Sequence, residues 1–95
     1  MENSEIKKER PRMAIVDPNT LAVLGLKQIL QNVMPIMTVE TFSTFQDFED
    51  AHPESFYHYF VAQVIVLENR QFFSQCIHKT IVLTITKDPN AQISG

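Results

Sequence analysis

The sequence predicts an α/β fold, a doubly wound parallel sheet in one domain, and three observations carry that expectation. Four short apolar, β-rich segments recur along the chain, at Met13-Ala14-Ile15-Val16, 36–42, 62–67 and 80–84. The stretches between them place apolar residues at helical spacing. Each connection has the length that parallel strands and right-handed crossovers demand. The most telling segment is Val64-Ile65-Val66-Leu67-Glu68. Its Val and Ile suit a strand buried on both faces, and its final acid falls at the edge where open α/β sheets hold their ligands.

Taken in order, Met1 to Pro11 reads as a charged leader, and residues 12–95 as the domain. The first strand, 13–16, is stopped by Asp17-Pro18, because proline cannot donate to a ladder. Asn19 or Thr20 caps the following helix, whose Ala22, Leu26, Ile29, Leu30 and Val33 share a face. Pro35 ends it. Residues 36–42 alternate as a strand with one wetter side. Ser43 and Gln46 have capping-box spacing for a short helix through Phe45, Phe48 and Ala51, closed by Pro53. The aromatic block Phe56-Tyr57-His58-Tyr59-Phe60 then leads to the strand around 62–67. Phe72, Phe73, Cys76 and Ile77 form the stripe of a third short helix before the strand Thr80-Ile81-Val82-Leu83-Thr84.

Bulk properties narrow the function. The chain has 95 residues, 44% apolar and 20% charged, which is ordinary globular composition for one modest core. Its net charge of −3 gives no basic face, so direct binding to nucleic acid is not expected. Nothing approaches a membrane span or the apolar core of a signal peptide. The single cysteine, Cys76, excludes an internal disulfide, and a cytoplasmic protein is the plain reading. With Gly25 and Gly95 as the only glycines, a glycine-rich phosphate loop is not available. No nucleophile–base pair stands out, so an enzyme is not expected.

Residues 14–26, AIVDPNTLAVLGL, resemble the first strand and helix of a response-regulator receiver domain of the NarL/LuxR type, which reads roughly IVDDHPLVREGL. Lys79-Thr80-Ile81-Val82-Leu83-Thr84 is similar to the fourth strand of that family. The likeness runs from about residue 13 to 88, with two specific stretches. It implies a flavodoxin/CheY-like sheet of strand order 2-1-3-4, cut before a fifth strand. It also implies a role in two-component signal transduction and transcription regulation. By the same resemblance Asp17 matches the first of two metal-binding acids, and Pro18 stands in place of the second. Glu68 falls on the phosphoacceptor aspartate, and Thr84 on the switch hydroxyl, followed by the bulkier Ile85. The usual Met-Pro after the acceptor is replaced by a region holding Arg70 and Gln71, and the lysine of a fifth strand has no counterpart.

Those departures argue against phosphoryl transfer. The reaction needs a metal to offset charge on the transferring group and a placed cation to hold the product. Mg²⁺ requires near-octahedral oxygen ligation, so Asp17 and Glu68 alone offer a weak site at best. Glutamate is also one methylene longer than aspartate, and a misplacement of about 1 Å costs roughly a hundredfold. No metal or other cofactor is therefore expected, with Mg²⁺ entering only if the chain accepts phosphate after all.

Each of these residues also has a plainer reading. Asp17 is either a cap for the first helix or the remnant of an ion site. Glu68 is either a solvated acid or a carboxylate held by Arg70, Lys87 or a backbone N–H. Thr84 suits a strand as well as a switch, and Cys76 reads as helix packing. His52, His58 and His78 form no ligand set, and the aromatic block is core and rim or a partner surface. Two functions follow from the resemblance. One is a receiver-like regulatory domain that works without phosphorylation, by dimerising or by docking on a DNA-binding helix-turn-helix domain downstream in the full-length protein. The alternative is a genuine phospho-accepting receiver that uses Glu68 or Asp17 unconventionally. The apolar strand 80–84, lying at a sheet edge, is expected to be covered, there or on neighbouring helices, by a second copy.

Overall fold

A computed structural model describes residues 11–84. Four strands, β1 (Arg12–Val16), β2 (Thr38–Phe42), β3 (His58–Ala62) and β4 (Thr80–Leu83), form one sheet of order β2-β1-β3-β4. Every pairing is parallel, with Val16 opposite Phe42 and Val61, and Val61 opposite Val82. The helices are α1 (Thr20–Val33), α2 (Phe45–Asp50), α3 (Gln63–Glu68) and α4 (Arg70–Gln75). This is the expected α/β architecture and strand order, that of a flavodoxin-like sheet.

Burial separates the two faces. On one, Val23, Leu30 and half-buried Leu26 of α1 pack on Ile15, Val39 and Phe60. On the other, Phe48 of α2, Ile65 of α3 and Phe73 of α4 cover Ala14, Val16, Tyr59 and Val61. Phe48 is the hub of that side, with Phe42, Phe45, Phe56, Tyr59, Phe72 and Phe73 all arranged around its ring. The Tyr59 hydroxyl donates to the Pro53 carbonyl at 2.7 Å, so the one polar atom of this aromatic core is satisfied.

The third strand lies earlier than 62–67. Residues 58–62 form β3, and Val64-Ile65-Val66-Leu67-Glu68 lies within α3. Only one place is open beside β1, and the aromatic segment fills it. There Tyr59 becomes almost fully buried within β3, with Phe56 buried just before the strand, whereas a strand at 62–67 would leave Tyr59 in a connection. The later strand would also leave little chain for the crossover to β4. In the observed arrangement residues 63–79 supply two helices and a 3-10 turn, and Ile65 is buried as a helical residue. A short apolar run has no period that distinguishes strand from helix.

Smaller differences have equally local causes. The cap of α2 is Thr44, whose Oγ1 accepts the Asp47 N–H at 3.1 Å, in place of the Ser43–Gln46 box. Of the two caps the sequence offered for α1, Asn19 takes the position, and Thr20 is the first residue of the helix. Val23, Leu26 and Leu30, at i, i+3 and i+7, point α1 at the sheet. That orientation leaves Ala22, Ile29 and Val33 on an exposed flank. The proposed leader falls almost wholly outside the described residues, as do Ile85 and Lys87.

Candidate functional site at the carboxyl edge of the sheet

The register of the sheet decides which side chains meet. Because Val16 pairs with Val61 and Val61 with Val82, β1, β3 and β4 run level and deliver the residues that follow them to one edge. Those residues are Asp17, Gln63 and Thr84. Between them lies a cleft of about 480 Å³, lined by Asp17, Ala22, Leu26, Gln63, Leu83 and Thr84 among others. Its size is that of a small-molecule site, and its position is where open α/β sheets bind ligands.

Asp17 is half-buried, and its carboxylate Oδ1 accepts the Asn19 N–H at 2.8 Å. Asn19 Oδ1 in turn accepts the Ala22 N–H at 3.1 Å. The acid thus braces the turn that starts α1, while Asn19 caps the helix itself. Pro18 sits between them, exposed, and brings no ligand oxygen from a side chain. This local wiring accounts for Asp17 without an ion, and it leaves the second carboxylate oxygen for the cleft.

Glu68 stands elsewhere. It is the last residue of α3, exposed, and does not line the cleft. Five residues of helical rise, about 7.5 Å along the axis, separate it from Gln63. Two acids sharing Mg²⁺ must each bring an oxygen to roughly 2.1 Å from the ion, which this placement does not provide. Among the described residues the Glu68 side chain has no hydrogen bond or ion pair, so neither Arg70 nor a described backbone N–H holds it, and Arg70 lines a different cavity, between α4 and β4. Lys87 lies outside the described residues. The residue that follows β3 is Gln63, which the sequence reading passed over. Its signal was present in the alternation of His58-Tyr59-Phe60-Val61-Ala62, buried at Tyr59 and Val61.

The chemistry available at the cleft is therefore narrow. A carboxamide is neutral, and its nitrogen lone pair is delocalised, so Gln63 donates and accepts hydrogen bonds without acting as a phosphoryl acceptor. Among the described lining residues Asp17 is the single carboxylate, and no imidazole, amine or thiol joins it. Among the described residues no three His, Cys, Asp or Glu gather in a way that would hold a metal. Thr84 is exposed at the end of β4. Cys76 is half-buried against the aromatic core, with its thiol directed at the Phe72 carbonyl. The aromatic block divides as core and rim, with Phe56 and Tyr59 buried and Tyr57 exposed. No described helix is long and apolar enough to cross a membrane.

No family model, curated protein or solved structure matches the chain significantly.

Proposed function

We propose that this chain is a receiver-like regulatory domain of a DNA-binding transcriptional response regulator, and that it acts without being phosphorylated. The observation that carries this reading is the composition of the carboxyl edge. Where a phospho-accepting receiver presents clustered acids, the described residues of this edge include Asp17 as their one acid, flanked by Pro18 and faced by Gln63. The parallel sheet of order β2-β1-β3-β4 and the likeness of residues 14–26 and 79–84 to receivers support the same reading. In this role the domain signals by association: it pairs with a second copy, or docks on a helix-turn-helix domain downstream in the full-length protein, in the cytoplasm. It has no catalytic role.

The test is exposure to acetyl phosphate and Mg²⁺ followed by intact-mass analysis. The proposal expects no phosphoryl adduct after prolonged incubation. A stoichiometric adduct, on Asp17 or on Glu68, would establish a genuine receiver with an unconventional acceptor and overturn the reading.

A further inference from the structure

The cleft at the carboxyl edge combines aliphatic walls with one charge. Its walls are Ala22 and Leu26 of α1, Ala62 of β3, Val64 of α3 and Leu83 of β4. Its polar residues stand in a row instead. β1, β3 and β4 are neighbours and run level, so Asp17, Gln63 and Thr84 follow one another at roughly the 4.8 Å spacing of adjacent strands.

Asp17 is the one charged side chain among the described lining residues. Its Oδ1 accepts the Asn19 N–H, and its Oδ2 has no partner among the described residues. The cavity of equal volume beside Pro53 is a contrast. There Glu49 and Glu54 share the lining with Lys79 and two histidines, so acids and bases offset one another within the molecule. At the carboxyl edge the offsetting charge is left to an incoming ligand.

We propose that this cleft binds a small organic cation, a protonated primary amine carried on an aliphatic body. An ammonium group has three N–H donors and no acceptor. The row offers acceptors to match, in Asp17 Oδ2, the Gln63 carboxamide oxygen and the Thr84 hydroxyl. The hydrocarbon part then leaves water against Leu26, Val64 and Leu83. Other ligand classes suit the site less. A divalent metal ion needs several oxygen ligands and would have to shed water against aliphatic walls. An anion would meet Asp17, and the Asn19, Ala22 and Val23 N–H groups at the start of α1 are already taken. A neutral ligand gains nothing from the carboxylate. The net charge of −3 adds a long-range attraction for the cation. A volume of about 480 Å³ lies within the usual range of small-ligand sites.

The inference gives the proposed regulatory role an input other than phosphate, and it does not depend on that role. Amide NMR titration of the full 95-residue chain with n-pentylammonium chloride, at constant ionic strength, tests it. Saturable shifts are expected at residues 17, 22, 26, 63 and 83, half complete at roughly millimolar concentration for so small a probe. Methylammonium lacks the aliphatic body, while 1-pentanol and pentanoate lack the positive charge. Each is expected to bind at least about tenfold more weakly. Asp17→Asn keeps an oxygen for the Asn19 N–H and removes only the charge. It is expected to weaken n-pentylammonium about tenfold and to leave 1-pentanol unchanged. Shifts that never saturate, or an Asp17→Asn variant that binds the amine as wild type does, would overturn the proposal. So would methylammonium or 1-pentanol binding as tightly as n-pentylammonium. Each of these failures leaves the phosphorylation-independent role to its own test with acetyl phosphate.

Discussion

Asp17 and Gln63 share the cleft at the carboxyl edge, but the turn around Pro18 already occupies Asp17 with the Asn19 N–H. A single carboxylate whose nearest duty is to brace a turn binds divalent cations poorly, and neutral Gln63 adds little to it. Glu68→Gln should consequently leave ion binding and thermal stability unchanged within about 0.5 kcal/mol, since the side chain is exposed and has no described partner. Calorimetry checks this directly. Asn19→Ala removes the side-chain acceptor for the Ala22 N–H and should cost about 1 kcal/mol in denaturant unfolding. His52 adopts φ of 63°, in the left-handed region, in the loop between α2 and the 3-10 turn at Pro53–Ser55. His52→Gly relieves that strain and should be neutral or stabilising by up to about 1 kcal/mol, in contrast to most glycine substitutions.

At the scale of elements, the sheet was legible wherever a strand was bounded by unambiguous breakers. Asp17-Pro18 after β1 and the isolated run at Thr80–Leu83 left no competing assignment. Between Pro53 and Gln75 two candidate strands lay end to end, one aromatic and one aliphatic, and local β-propensity favoured both. The choice was made by burial: Tyr59 and Phe56 fill the space beneath Phe48, and Ile65 then packs as part of a helix. The site inherited the same ambiguity, because moving one strand exchanged a terminal acid for an amide. Asp17 and Thr84 were legible for the converse reason, as the residues that follow two well-bounded strands. The aromatic cluster also predicts where the fold is most vulnerable. Phe48→Ala removes a fully buried ring from the middle of six others and should cost about 3–5 kcal/mol in chemical denaturation. That is a large part of the stability of any domain this size.

At the scale of the whole molecule, one group among the described residues links stability to alkaline pH. Burial, with smaller contributions from Cys76 and Glu54, pushes the Tyr59 phenol up from its ordinary 10.0 to about 12. Ionisation would also remove the proton that it donates to the Pro53 carbonyl. A folded-state value above the unfolded one means that the folded state holds the proton more tightly. The resulting stabilisation is complete below pH 10 and is lost as pH rises through 12. Thermal unfolding of Tyr59→Phe should show a lower baseline at neutral pH, by about 1 kcal/mol for the lost hydrogen bond. Its decline between pH 10 and 12 should be shallower than that of wild type.

The proposed function requires that the carboxyl edge of this flavodoxin-like sheet, which holds Asp17 as the one acid among its described lining residues, does not support phosphoryl chemistry. Titration with Mg²⁺ followed by amide NMR tests that claim most directly, with a Pro18→Asp/Gln63→Asp double variant as the comparison. The double variant, which places three carboxylates at the cleft, is expected to show saturable shifts at residues 17, 18, 63 and 84 with millimolar Mg²⁺, and wild type is expected to show none. Saturable wild-type shifts at Asp17 together with Glu68 would contradict the account.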